Sequence, residues 1–168
     1  MEIPSPTDPY DSRSELFVTY LDFFRQRLIE KTAAIPEALQ SHSTLASGWT
    51  PLELMKHVTF VELRWLEWGF EGVRVENPWG DREGDHWHTA SNDTLALLTD
   101  ELVARGARSS AIIARHDLDE RGAASERWDG MEPPTLERIL FHLLQEYARH
   151  VGHLDIVAEL ANGRGDEE

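Results

Sequence analysis

The sequence predicts an all-α, antiparallel four-helix bundle with a long loop between its second and third helices, and three observations carry this. Four segments place apolar residues at spacings of three and four. No alternating strand pattern reaches a comparable length. Capping residues, prolines and glycines cluster at the ends of these segments.

The first helix is expected over about 14–33, with Leu16, Tyr20, Phe23, Phe24, Arg27 and Leu28 at helical spacing and Pro36 beyond its end. The second is expected over 51–71. Thr50 suits the N-cap, Pro51 the first helical position and Glu53 the third position of a capping box, and Gly72 is a natural stop. The third, over about 91–116, carries Leu95, Leu98, Leu102, Ala111, Ile112 and Arg115 and is interrupted by Gly106. The fourth is expected over 135–162, behind Pro133 and Pro134, with Asn162-Gly163 suited to a left-handed cap. The tail "RGDEE" is expected to fray.

At 168 residues the whole chain, 1–168, is expected to form a single bundle domain with a core large enough to need no staples. There is no cysteine, so a disulfide framework and a thiolate metal site are both excluded, and a metal here would need nitrogen and oxygen ligands. A formal charge of −15 opposes binding to nucleic acid and to anionic lipid surfaces. The first residues show no basic, apolar leader and no segment is apolar enough to span a bilayer, so the expected compartment is the cytoplasm.

The fourth helix holds the unusual feature, His142, Glu146, His150 and His153 within "HLLQEYARHVGHLDIV". At about 100° per residue, its buried stripe is Leu136, Leu140, Leu143, Tyr147, Val151 and Leu154. Glu146 and His150 share one shoulder of that stripe, while His142 and His153 lie further toward solvent. Their i, i+4 spacing lets Glu146 and His150 converge on one ion, whereas His142 and His150, about 12 Å apart along the axis, cannot do so from one straight helix. In the second helix, His57 occupies the corresponding shoulder beside Leu54, Val58, Val61 and Trp65. Two imidazoles and one carboxylate would suit Zn²⁺, Ni²⁺, Fe²⁺ or Co²⁺ with positions left open for chemistry. The same residues also fit an exposed i, i+4 pair together with a satisfied core histidine.

The loop "VRVENPWGDREGDHWHTASND" is long enough to be either a lid or an ill-ordered link. Its Asp85, His86 and His88 could form a metal cluster of their own or face solvent. Trp49, Trp65, Trp68, Trp79 and Trp87 are candidate substrate contacts or core residues, and Arg64 and Arg149 are candidate anion binders for which solvation at the surface is the simpler expectation.

"T-P-L-E-L-M-K-H-V" opening one helix and "H-L-L-Q-E-Y-A-R-H-V-G-H-L-D-I" in the last resemble the DinB-like superfamily. The closest likeness is to its actinobacterial members, which are similar to mycothiol-dependent maleylpyruvate isomerases and mycothiol S-transferases. This resemblance implies a four-helix bundle with a long crossover and a divalent metal, zinc first, held by His57, Glu146 and His150. Many members have His where Glu146 stands. The continuation His150, Gly152, His153, Asp155 favours the actinobacterial branch and makes His153 an alternative ligand. The implied chemistry is thiol transfer, or thiol-dependent isomerisation, with mycothiol as cosubstrate and an electrophilic small molecule as its partner. A non-catalytic metal-binding or dimer-forming bundle is the alternative, since the sequence permits a homodimer through an apolar helix face. A closed four-ligand site would favour that alternative and an open three-ligand site would favour catalysis.

Overall fold

Ser12, Thr50, Thr94 and Thr135 each accept a hydrogen bond from the backbone N–H three residues on, and so start the four long helices of the computed structural model, which describes residues 2–43 and 45–163. These helices are α1 (Arg13–Ala33), α3 (Pro51–Glu62), α4 (Leu95–Arg115) and α5 (Leu136–Asn162), with a short α2 (Glu37–Gln40) after the first. The expectation for the tail 164–168 lies outside the described residues.

The capping box at Thr50 and Glu53 forms as expected. Beyond Glu62 the second long helix runs on as a π-helix, Leu63–Phe70, in which the Glu71 N–H reaches back five residues to the Leu66 carbonyl. Gly72, at φ +68°, then ends it. The third long helix begins at Leu95 rather than near 91, because Asp93 is engaged outside it, accepting from Lys56 Nζ and from the Ala90 N–H, both at 2.8 Å. The left-handed cap expected at Gly163 does not form: its φ is −71° and its N–H bonds to the Glu159 carbonyl, which prolongs the right-handed turn.

The ion pairs give the helix directions. Arg13 pairs with Glu137 and Lys31 with Asp155, so α1 and α5 run parallel. His57 meets His150 while Trp65 meets His142, so α3 and α5 run antiparallel. Lys56 pairs with Asp93 and Glu71 with Arg115, so α3 and α4 run parallel. The bundle is therefore not antiparallel throughout. The segment between Phe70 and Leu95 is long enough to return along the bundle before α4 starts, which removes the constraint that a short loop would impose.

Within the largely apolar core, Glu62 is wholly buried. It accepts hydrogen bonds from Arg25 of α1 (Nε at 2.7 Å), from the Ser109 hydroxyl of α4 and from the Tyr147 hydroxyl of α5, so one carboxylate joins all four long helices. Burial by itself would lower the Arg25 pKa, but the adjacent Glu62 charge more than reverses this, and burial pushes the Tyr147 phenol up. Arg25 also explains why the buried stripe of α1 runs through Leu21, Arg25, Leu28 and Thr32 rather than through Leu16, Tyr20 and Arg27: the helix turns its arginine inward to meet Glu62. Gly106 makes room for it, since a Cβ there would lie 2.8 Å from Arg25 Nε.

Replacing Arg25 by Leu leaves Glu62 buried without its cation, and should lower the unfolding free energy by about 3–5 kcal/mol in urea titrations. Gly106→Ala should cost about 1–3 kcal/mol through the same contact. An Arg25→Leu loss below about 1 kcal/mol would show that the network does not hold the helices together.

Candidate metal centre

His57 on α3 and Glu146 and His150 on α5 face one another across the antiparallel seam, and one donor atom from each lies within 4.8 Å of the other two. Among the described residues this is the only group of three or more such side chains close enough to share an ion. Glu146 Oε2 is 3.2 Å from His150 Nε2. His142 Nε2 lies 3.8 Å from Glu146 Oε1, and its ring packs on Trp65. His153 sits between Trp49 and His150, with ring centroids 6.1 and 5.5 Å away. The structure does not bring Asp85, His86 and His88 together as a cluster: Asp85 and His86 are exposed, and His88 pairs with Glu83 at 3.4 Å.

The loop between α3 and α4 folds back over this seam. A short hairpin of β1 (Arg82–Glu83) and β2 (His86–Trp87) turns through Gly84 at φ +62°, the left-handed region a tight two-residue turn requires. Gly80 lets its base approach α3, since a Cβ there would come 2.8 Å from the Phe60 ring. The hairpin places the Trp87 ring flat against His57, with centroids 4.3 Å apart at 20°. It also delivers Asp81, which is wholly buried and lies 2.9 Å from His57 Nδ1.

Asp81 is the residue that sequence reasoning missed. Arg64 grips its carboxylate with both terminal nitrogens, at 2.7 and 3.2 Å, and also donates to the Pro78 carbonyl at 3.1 Å. Arg64 is therefore a buried structural cation and not a solvated surface residue, a correction with a clear cause: the π-helical turn aims it inward at a buried acid. Burial alone would raise the Asp81 pKa, but the hydrogen bonds from His57 and Arg64 outweigh it and hold the carboxyl below its ordinary range. The ionised carboxylate fixes His57 with its proton on Nδ1, leaving Nε2 as a lone-pair donor, the arrangement usual for a metal-ligating histidine. The one sequence signal was the rule that such a histidine has an acid behind it, and it does not choose between Asp81 and Asp85.

Burial first, then the nearby His57, lower the His150 pKa to about 4 against the opposing pull of Glu146. The ring is thus neutral at pH 7, the form that can ligate. Its Nδ1 is buried with no hydrogen-bond partner. Two imidazoles and a carboxylate, one ring locked from behind and the other incompletely satisfied, fit a divalent first-row ion.

These groups lie at one end of a cavity of about 440 Å³ that follows the α3–α5 seam. Trp49, Trp65, Trp79 and Trp87 line it, and Arg82, Arg127 and Arg149 add positive charge; Trp68 does not line it. A roomier hollow of about 790 Å³ beside α2 and the start of α4 contains no histidine and no basic residue, so it has less to offer as a reactive site.

The family described as mycothiol-S-transferase matches residues 16–163 of this chain. No curated protein matches it. No helix among the described residues is long and apolar enough to cross a membrane.

Because the His150 pKa is depressed in the folded state, the unfolded chain binds the extra proton first as pH falls. Its contribution to stability is complete above about pH 6.5 and is lost on descending toward about 4. In chelator-treated protein, urea titrations at pH 7 and 4.5 should differ by about 2–3 kcal/mol more for the wild type than for His150→Gln. Equal pH slopes would show that His150 is not held neutral by the fold.

Proposed function

Because the chain belongs to the mycothiol-S-transferase family, we propose that it joins the sulfur of a low-molecular-weight thiol, mycothiol in the first instance, to an electrophilic small molecule, using a divalent ion held by His57, Glu146 and His150. The observation that carries this is the convergence of three donor side chains in the wall of a lined cavity, with no fourth protein ligand in the group. A three-ligand set leaves room for a reactant, as catalytic sites do. Zinc is the first choice of ion, and nickel, iron and cobalt fit the same donors. When bound, such an ion lowers the pKa of a coordinating thiol so that the thiolate is present at neutral pH.

The chain's own residues do the rest. With no cysteine in the sequence, the reacting sulfur belongs to the cosubstrate. Asp81 and Arg64 hold the His57 ring in one tautomer and one orientation. Trp87, stacked on that ring, and Trp49 beside it keep water from one side of the site. Trp65 offers an apolar face along which the electrophile can lie. Displacement of a leaving group gives a conjugate; addition to a double bond followed by departure of the thiol gives an isomer.

Chelated protein should remain helical by circular dichroism but lose thiol conjugation, and added Zn²⁺ or another divalent first-row ion should restore it. His57→Ala and His150→Ala should each lose stoichiometric metal by elemental analysis while keeping their helicity, because two remaining ligands hold such an ion poorly. Glu146→Gln should weaken metal binding far more than His142→Asn or His153→Asn. Undiminished transfer in verified metal-free protein would refute the proposal, and metal loss confined to the His153 variant would move the ligand assignment.

A further inference from the structure

Seven basic side chains among the described residues are buried or half-buried, and six of them, Arg25, Arg27, Lys31, Lys56, Arg64 and Arg105, form ion pairs with carboxylates. Arg127 is the seventh. Among the described residues it has neither an ion pair nor a hydrogen bond, in a chain with 31 acidic residues to 16 basic ones. Its Nε is buried without an acceptor. A half-buried guanidinium without an anion is costly, because it loses hydration that no carboxylate replaces.

The fold nevertheless builds a seat for it. The 3₁₀ turn Glu126–Trp128 is anchored by Trp128, whose indole N–H donates to the Gly69 carbonyl at 2.9 Å. Gly69 itself clears the space, since a Cβ there would lie 3.2 Å from Arg127 Cδ and Nε. The guanidinium rests against three indoles, 4.5 Å from the Trp65 centroid, 5.2 Å from Trp68 and 5.3 Å from Trp128. Aromatic faces stabilise the cation in part and hold its planar fork in one orientation, but they accept no hydrogen bonds from its edge.

Arg127 lines the same cavity as His57, Glu146 and His150. The Trp65 ring packs against both Arg127 and His142. By helical rise, the level of Trp65 is roughly 12 Å from that of His57 along the seam. Arg82 and Arg149, also without carboxylate partners among the described residues, stand at the same cavity. The acids nearest to it are already committed, Asp81 to His57 and Arg64, and Glu146 to the histidines.

We infer that the electrophile carries an anionic group, a carboxylate or a sulfonate of the same reach, which Arg127 binds while the rest of the molecule lies on Trp65 with its reactive carbon toward the His57–His150 end. This rests on the transfer reaction proposed above. It makes Arg127 a specificity-determining residue, selecting charged electrophiles over neutral ones of equal reactivity.

The probes are 4-chloro-3-nitrobenzoate and its neutral amide, 4-chloro-3-nitrobenzamide. In a transfer, the thiolate sulfur bonds to the ring carbon, the carbon–chlorine bond breaks, and chloride leaves with the electron pair. Binding is read first, without thiol, by quenching of tryptophan fluorescence in zinc-loaded protein. The benzoate should bind about tenfold or more tightly than the amide, and Arg127→Gln should erase most of that preference, as expected for a charge-assisted hydrogen bond in a partly desolvated site. Arg127→Lys should keep part of it. Equal binding of the two probes by the wild type would overturn the inference, even if the Gln variant does not fold. So would a preference that survives in Arg127→Gln, which would place the carboxylate on the metal or on Arg82 and Arg149. With thiol added, the preference should appear in KM, and Arg127→Gln should erase most of it there as well. Arg127-dependent binding without any transfer would leave the anion site standing and sink the transferase reading. Equal transfer of both probes with the same KM in wild type and variant would do the reverse.

Discussion

A carboxylate with no exposure to water has to be paired, and Asp81 is paired twice, with the Nδ1 of His57 and with the fork of Arg64. Much of the candidate site depends on that one arrangement. It draws the connection between α3 and α4 down onto the bundle, so that a segment of mostly polar composition closes over the seam. It settles which ring nitrogen of His57 keeps its proton. It also sets Trp87 against the same ring, so the orientation of His57, its tautomer and its shield from water follow from a single buried acid.

Glu62 plays a comparable part for the scaffold. It is the last α-helical residue before the π-helical turn, and its contacts with Arg25, Ser109 and Tyr147 tie that point to the other three long helices. The turn it precedes then points Arg64 at Asp81, offers Trp65 to the cavity and brings Gly69 under Arg127. π-helical turns are often found where function requires side chains that a regular helix would misdirect. Here the insertion sits between a fixed anchor in the core and the residues that shape the cavity.

The helices were legible because their signals are local. Thr50, Pro51 and Glu53 announce a helix start by their own hydrogen-bonding chemistry, and the stripe from Leu136 to Leu154 follows from a period of 3.6. The same periodicity brought Glu146, His150 and His57 to matching shoulders, and the fold places them together. Helix direction was not legible, because it depends on how a long connection returns, and nothing in the composition of residues 71–94 fixes its path. The inward turn of Arg25 and the burial of Arg64 were hidden for a related reason. Each depends on an acid distant in sequence, Glu62 for one and Asp81 for the other, and an arginine read alone is assigned to solvent. Asp81 and Asp85 are equivalent in sequence; the approach of Gly80 to Phe60 and the turn at Gly84 separate them.

The most direct measurement is an anomalous-difference map from crystals of the zinc-reconstituted protein, with data collected on both sides of the zinc edge. One strong peak should lie about 2.0–2.2 Å from His57 Nε2, from a Glu146 carboxylate oxygen and from a His150 ring nitrogen, with at least one coordination position free of protein and His57 Nδ1 still on Asp81. A peak held by His153 or His142 in place of Glu146, one at Asp85, His86 and His88, or a site closed by a fourth protein ligand would contradict the assignment of this seam as an open, reactive metal centre.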